Sequence, residues 1–151
     1  MSYIRNVELS DAEVLVEIYR PYVENTAISF ECETPSVDEF RSRIENISKK
    51  YPYIVMVEDD EIVGYAYAGR FKGRKAYDWC VETTIYVRED KKGGGYGKKL
   101  YLELEKRLKK QNILNMYACI AYTDNVDEHL TNNSMQFHEH MGFRLIGTFK
   151  K

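Results

Sequence analysis

The sequence has few cysteines, only three prolines and one tryptophan, and no long apolar run. Cys32, Cys80 and Cys119 are an odd, widely spaced set without a CxxC pair, which argues against a disulfide framework and a thiolate zinc site. No apolar run approaches the roughly 18 residues of a membrane span, and residues 1–5 lack the basic and apolar layout of a signal peptide. We therefore expect reduced cysteines and a cytoplasmic protein.

An excess of either charge is also missing. Lys and Arg total 22 against 24 Asp and Glu, so the net charge of −2 excludes the strongly basic field of a nucleic-acid-binding protein. His129, His138 and His140 form no metal-binding pattern, so no metal is expected. With 44% hydrophobic and 30% charged residues in 151, the chain has material for a core and a soluble surface, and residues 1–151 are predicted to form a single domain.

Capping signals and periodicity predict a mixed α/β fold. Ser10 with Glu13, and Ser36 with Glu39, have capping-box spacing before helical apolar patterns, and Pro21 is expected to kink or end the first helix. Strands and helices are then predicted in the order βααβββαβαβ. The predicted strands are 3–9, 53–58, 61–70, 79–87, 115–122 and 143–149; the later helices are 96–110 and 134–141.

Glu82 is predicted to lie in the middle of the strand 79–87. Alternation places it on one face with Cys80, Thr84 and Tyr86, whereas Val81, Thr83, Ile85 and Val87 share the other face. A carboxylate in mid-strand is costly if it is buried without a partner, so Glu82 is a candidate functional group. An exposed strand glutamate or a structural ion pair is the alternative.

A cluster of glycines separates this strand from the strongest helix. The segment 92–97 reads Lys-Gly-Gly-Gly-Tyr-Gly, and Lys91, Lys98 and Lys99 lie beside it. Successive glycines let backbone N–H groups converge, and a helix N-terminus adds partial positive charge, so the segment suits a phosphate group. A solvated turn without a ligand is the alternative. The spacing matches neither a Walker loop nor a GxGxxG fingerprint.

The spacing that fits is basic-x-x-Gly-x-Gly, here Lys92-x-x-Gly95-x-Gly97, and it resembles the pyrophosphate loop of the GNAT acyl-CoA N-acetyltransferases. The predicted element order is also similar to that family's. The segments 76–79 (Ala-Tyr-Asp-Trp), 81–87 (Val-Glu-Thr-Thr-Ile-Tyr-Val) and 137–143 (Phe-His-Glu-His-Met-Gly-Phe) resemble its phosphinothricin acetyltransferase branch. The family's Arg or Gln at the start of the loop is Lys92 here.

The resemblance implies a GNAT-like fold, with a central, mostly antiparallel mixed sheet flanked by helices. The chain ends at Lys151, so the final strand of the branch is expected to be missing. An unpaired sheet end makes a homodimer plausible.

The resemblance also implies a cofactor, acetyl-CoA, and a small amine substrate. The pantetheine arm of acetyl-CoA would lie along the backbone of Ile85, Tyr86 and Val87, and the pyrophosphate of acetyl-CoA would lie against residues 92–98. Asn133 is a further candidate contact to the cofactor, with Asn125 as the alternative. The residues assigned to the cofactor in the loop are Lys92, Gly93, Gly94, Gly95, Tyr96, Gly97 and Lys98. An ordinary core strand is the alternative for residues 85–87.

Two side chains are implied in catalysis by the same resemblance. Glu82 matches the family's general base, which usually acts through water, and His138 matches a position that could protonate the departing thiolate. A hydrogen-bonded core histidine is the alternative for His138. Cys80 and Cys119 could suggest a covalent acyl-enzyme, but they lie in β-rich apolar segments without an evident base and are interpreted as inert core thiols.

The resemblance also implies the residues that bind the acceptor substrate, namely Phe30, Arg74, Lys75 and Tyr77. Arg74 is expected to receive an acceptor carboxylate, with a solvated basic loop as the alternative. The sequence therefore predicts an acetyl-CoA-dependent N-acetyltransferase for a small primary amine, such as an amino acid or an analogue like phosphinothricin or methionine sulfoximine. A non-catalytic module that binds CoA or another anion is the alternative function.

Overall fold

A computed structural model describes residues 1–26, 31–70, 80–120 and 133–146. Five strands form one sheet in the order β1-β2-β3-β4-β5, in which the first four strands are antiparallel neighbours and β5 runs parallel to β4. The strands are β1 (Ser2–Asn6), β2 (Tyr53–Glu58), β3 (Glu61–Arg70), β4 (Cys80–Val87) and β5 (Asn115–Tyr117). The helices are α1 (Ala12–Glu24), α2 (Val37–Ser48), α3 (Tyr96–Lys110) and α4 (Asn133–His140). The predicted mixed α/β class is confirmed.

Helices cover both faces of the sheet. Successive strand residues point to opposite faces, and apolar residues lie on both faces. Helices α1 and α2 pack on the face that carries Tyr53, Val55 and Tyr65. Helix α3 packs on the opposite face, which carries Ile54, Met56, Val63 and Val81, and its Leu100, Leu104 and Leu108 are at most 1% exposed. Glu82 therefore faces the α1–α2 side, and Thr83 faces the α3 side.

Helix α1 differs from its prediction at both ends. The predicted Ser10–Glu13 capping box is wrong: a 3-10 turn over Leu9–Asp11 precedes the helix, and Glu8 and Asp11 form the box instead. Arg5 donates two hydrogen bonds to the carboxylate of Asp11, at 2.8 and 3.0 Å, and these bonds hold Asp11 in the capping position. Pro21 does not end the helix, since the buried apolar face continues past it through Tyr22 and Val23 to the end at Glu24.

Helices α2 and α3 follow their sequence signals. The Oγ atom of Ser36 accepts a hydrogen bond from the backbone N–H of Glu39 at 3.1 Å, as the capping spacing predicts. Helix α3 spans the predicted residues, and its leucine stripe is buried. The Ser36 cap of α2 and the leucine stripe of α3 locate these two helices from local sequence alone.

The C-terminal strands are shorter than predicted. Strand β5 ends at Tyr117 instead of residue 122, because its parallel pairing with β4 ends at the Glu82–Tyr117 pair. Residues 143–146 are not in a strand, and Leu145 and Ile146 are exposed. Residues 121–122 and 147–149 of these predicted strands lie outside the described part. β-propensity alone does not make a strand where no neighbouring strand supplies hydrogen bonds.

The described residues contain neither a membrane-spanning helix nor a cluster of metal-binding side chains. None of their helices is both long and apolar enough to cross a bilayer. No group of three or more His, Cys, Asp or Glu side chains among them could hold a metal ion.

Candidate active site

A cleft of about 300 Å³ opens where β4 and β5 stop pairing. Beyond Glu82, residues 84–87 of β4 have no strand partner on the β5 side among the described residues, although β3 still pairs with them on the other side. The cleft is consequently lined from both faces of the sheet. Its walls include Tyr19, Phe40 and Arg43 from the α1–α2 face, and Tyr101, Ser134 and His138 from the α3–α4 face.

Glu82 lies on the wall of this cleft, half-buried in mid-strand as predicted. Its carboxylate forms no hydrogen bond or ion pair with any described residue. The phenol of Tyr67 is within electrostatic reach of Glu82, and burial is the main cause that raises the pKa of Tyr67. A half-buried carboxylate that faces a cavity is available to a water molecule or a ligand, whereas a structural ion pair would occupy it.

His138 lies on the opposite wall and is only 5% exposed. Its Nδ1 is 2.6 Å from the backbone carbonyl oxygen of Ser134, and its Nε2 is 2.6 Å from the hydroxyl of Tyr101. A carbonyl oxygen only accepts, so Nδ1–H donates to it, and Nε2 of the neutral ring accepts from the Tyr101 O–H. Burial lowers the pKa of His138, which favours this neutral form.

Tyr101 is a lining residue that the sequence interpretation missed. It is 2% exposed, and burial raises the pKa of its phenol. Its hydroxyl lies 3.3 Å from the Oγ1 atom of Thr83, so it joins β4 to His138. A signal was present, since Tyr101 is spaced three and seven residues from Leu104 and Leu108 on the buried stripe of α3.

The glycine segment forms the N-terminus of α3. Gly95 is the N-cap in the left-handed conformation at φ 82°, Gly93 has φ 85°, and no side chain caps the helix. The N–H groups of the first turn are therefore available to an anion. A Cβ on Gly97 would lie 3.0 Å from the ring of Phe137, so this glycine also permits α3 to approach α4 closely.

The other predicted cofactor residues lie near these features. Ile85 and Tyr86 line the cleft, and the backbone carbonyl of Val87 accepts a hydrogen bond from the Tyr22 hydroxyl. The ammonium group of Lys92 lies 4.8 Å from the centre of the Tyr22 ring. The loop members Gly94, Tyr96 and Lys98 are in the described part, and Tyr96 donates a hydrogen bond to Glu58.

Several predicted residues lie outside the described part, namely Phe30, Arg74, Lys75, Tyr77 and the alternative Asn125. For Asn133, only the backbone position at the start of α4 is described.

The prediction that Cys80 and Cys119 are core thiols is wrong: Cys119 is exposed and Cys80 is half-buried. Cys119 follows β5 and lines the cleft, and the described residues 118–120 form no strand pairing that would bury it.

Comparison with known proteins identifies the class to which this fold and cleft belong. Residues 4–151 match the family model described as an acetyltransferase (GNAT) domain, so the chain belongs to the GNAT family of N-acetyltransferases. Among its relatives is the phosphinothricin N-acetyltransferase of Streptomyces viridochromogenes, 30% identical over 147 residues, which cover 97% of this chain and 76% of the relative.

Two further relatives support the same branch. The L-methionine sulfoximine/L-methionine sulfone acetyltransferase of Pseudomonas aeruginosa is 29% identical, over 95% of this chain and 81% of its own length. A GNAT superfamily phosphinothricin acetyltransferase from Sinorhizobium meliloti, solved in complex with acetyl-CoA, aligns with a TM-score of 0.86 and 32% identity, covering 97% of this chain and 76% of that one. The predicted family and branch resemblance are confirmed.

Proposed function

We propose that this protein transfers the acetyl group of acetyl-CoA to the primary amine of an amino acid or amino-acid analogue, such as phosphinothricin or methionine sulfoximine. The observation that carries the proposal is the Glu82 carboxylate, which faces the cleft without a partner among the described residues. The names of the relatives supply the substrate class.

The cofactor is proposed to enter from the α3 side of the sheet. Its pyrophosphate would bind the N–H groups at the start of α3, with Gly93 to Lys98 as the cradle and Lys92 as an additional charge. Its pantetheine arm would lie along Ile85, Tyr86 and Val87, where β4 lacks a strand partner on its β5 side in the described part. Asn133 is kept as a candidate contact.

The reaction is proposed to be direct. Glu82 removes a proton from the substrate ammonium through water, and the neutral nitrogen attacks the thioester carbonyl. A new C–N bond forms, the C–S bond breaks and CoA leaves as the thiolate. The attacking nitrogen gives up its second proton as the amide forms, and the thiolate takes up a proton from water. Backbone N–H groups of residues 85–87 could stabilise the developing oxyanion.

His138, which the resemblance implies as a proton donor to the departing thiolate, is proposed to act indirectly. A ring that is neutral near pH 7 holds no spare proton, so its contribution should come from the hydrogen bond with Tyr101 that orders this wall of the cleft. We therefore expect His138→Ala to cost less activity than the loss of Glu82, because a thiolate is a tolerable leaving group that water can protonate.

The acceptor is proposed to contact Phe30, Arg74, Lys75 and Tyr77, on the sequence resemblance alone. We also propose that residues 1–151 act as one catalytic domain, that the protein is a cytoplasmic homodimer, and that its chemistry needs no metal.

A coupled thiol-release assay tests the proposal. Wild-type protein should release CoA from acetyl-CoA when phosphinothricin, methionine sulfoximine or an L-amino acid is added. Binding of acetyl-CoA without thiol release for any amine would support the alternative, a non-catalytic CoA-binding module.

Glu82→Gln tests the mechanism. Glutamine keeps the shape but cannot accept the proton, so turnover should fall by about a hundredfold or more while acetyl-CoA affinity changes little. The variant should retain only the pH dependence set by the free amine of the substrate. Wild-type turnover and pH dependence in this variant would return Glu82 to a structural role.

A further inference from the structure

A charged cluster lines the cleft on the α1–α2 face, opposite the α3–α4 wall. The Nη2 atom of Arg43 lies 2.5 Å from the Oε1 atom of Glu31 and 3.1 Å from the Oε1 atom of Glu39. The Tyr19 hydroxyl donates to the other oxygen of Glu31 at 2.5 Å. Tyr19, Glu31 and Arg43 all line the cleft, whereas Glu39 does not.

Arg43 retains donors for a ligand. Both of its ion pairs use Nη2, and its Nη1 and Nε groups make no hydrogen bond to a described residue. Its side chain is 38% exposed. The hydrogen bond to Glu31 is the main cause that raises the pKa of Arg43, and the same bond holds the pKa of Glu31 below its ordinary value. Arg43 and Glu31 are therefore both ionised in the neutral pH range.

Arg43 also acts on the floor of the cleft. Its positive charge opposes the burial that raises the pKa of the phenols of Tyr53 and Tyr67. Tyr67 is also within electrostatic reach of Glu82 and Glu31. Arg43 and the proposed base, Glu82, therefore both act on Tyr67, on the same face of the sheet.

Arg43 is the only cationic residue among the described residues that line the cleft, beside the two carboxylates of Glu31 and Glu82. A net negative lining suits an ammonium group near Glu82. A fixed guanidinium with open N–H groups suits an anionic oxygen on the same molecule.

We propose that Arg43, held by Glu31 and Glu39, is a specificity-determining residue that binds an anionic oxygen of the acceptor while the acceptor amine faces Glu82. This assignment rests on the proposed function. The anionic group is either the α-carboxylate or an acid on the side chain, and the acceptor is consequently an amino acid or amino acid-like zwitterion, not a simple amine.

Calorimetric titration of four acceptors into CoA-saturated protein tests the assignment without requiring turnover. Glutamate carries both acids, norvaline only the α-carboxylate, 4-aminobutyrate only the distal acid, and butylamine neither. Arg43→Gln should raise the dissociation constant about tenfold for the acceptors whose acid Arg43 binds, and should leave butylamine within about twofold. A loss for norvaline identifies the α-carboxylate, and a loss for 4-aminobutyrate identifies the distal acid.

Matched variants separate recognition from folding. Arg41 lies on the same helix, pairs with Asp38 at 2.7 Å and does not line the cleft, so Arg41→Gln should bind all four acceptors as the wild type does. Arg43→Lys retains the positive charge near Glu31 and should bind the acidic acceptors more tightly than Arg43→Gln does. CoA affinity and the thermal midpoint of each variant show whether the fold is intact.

Equal effects of Arg43→Gln on all four acceptors, or none, would overturn the assignment. So would wild-type protein that binds the three acids no more tightly than butylamine. Tight, Arg43-dependent binding without acetyl transfer would instead count against the proposed function and leave the binding role of Arg43 standing.

Discussion

At the scale of the residue, His138 shows how a polar side chain is accommodated in an apolar setting. Its ring is surrounded edge to face by the rings of Tyr101, Phe137 and Phe143, with centroids 5.2 to 5.4 Å away. Both ring nitrogens have hydrogen-bond partners, so the neutral ring is fully satisfied. A second proton would have to replace the bond that Nε2 accepts from Tyr101.

This environment predicts a pH dependence of stability. The folded state depresses the pKa of His138 below its ordinary value of 6.5, so only the unfolded chain takes up a proton as the pH falls through that value. The contribution is fully present above pH 6.5 and is lost below it, down to the lower folded pKa. We expect the thermal midpoint to be steady near about pH 7.5 and to fall toward about pH 5.5.

Two substitutions check that assignment. His138→Gln should lower the midpoint at neutral pH and flatten the slope, because the titrating group is gone. His140→Gln should leave both unchanged, since His140 is exposed at the end of α4. A slope that survives in His138→Gln would assign the pH dependence to other groups.

At the residue level, family motifs pointed to Glu82 and His138, which both line the cleft, whereas no motif pointed to Arg43. Glu82 and His138 could be identified because both lie in segments that resemble the family. Arg43 could not be identified in this way. In the sequence it is simply the (i, i+4) partner of Glu39 on α2, and its ion pair with Glu31, which precedes α2, forms only in the folded structure.

At the scale of the element, the N-terminus of α3 depends on one backbone conformation. Gly95 is left-handed at φ 82°, and a Cβ there would meet no described atom within 4 Å. A Cβ at this position therefore acts through backbone strain and not through a steric clash.

Gly95→Val is therefore expected to cost about 1–2 kcal/mol in folding free energy and to weaken acetyl-CoA binding strongly, because the strained turn would redirect the N–H groups. Lys92→Ala should weaken binding much less, since it removes one exposed charge that salt screens. Calorimetric titration measures both. Equal losses of affinity would contradict a cradle made of backbone.

Elements with local signals were predictable, and elements that depend on a partner were not. Helix α2 begins directly after its N-cap, Ser36, and helix α3 begins directly after Gly95. The predicted strand 115–122 has seven apolar residues among its eight positions, yet in the described part of it only Asn115 to Tyr117 pair with β4. The start of α1 was misplaced because Asp11 is recruited by Arg5, which lies on the neighbouring strand β1.

At the scale of the whole molecule, the sheet formed by the described residues has one edge at β1 and the other at β5. Exposed apolar side chains, Leu145 and Ile146, follow α4 and are 61% and 72% exposed. Exposed apolar surface and a short edge strand are both features that a second chain can cover.

We expect sedimentation equilibrium to give about twice the chain mass of 17.8 kDa at micromolar concentration. The same measurement with acetyl-CoA present shows whether the cofactor changes the association. A single species at the chain mass, at every concentration, would refute the homodimer.

The three-residue pairing of β5 has a consequence for how the molecule opens. Strands β1 to β4 are joined by antiparallel pairing along almost their whole lengths, whereas β5 is joined by three pairs, and α4 packs mainly through partly buried side chains such as Phe137 and Met141. Amide protons of β5 and α4 should therefore exchange with solvent through a partial opening, at a lower free energy than those of β2 and β3. The wall of the cleft that carries His138 therefore belongs to the part of the protein that opens first, whereas Tyr53, Tyr65 and Tyr67, which line the cleft from β2 and β3, belong to the part that opens last.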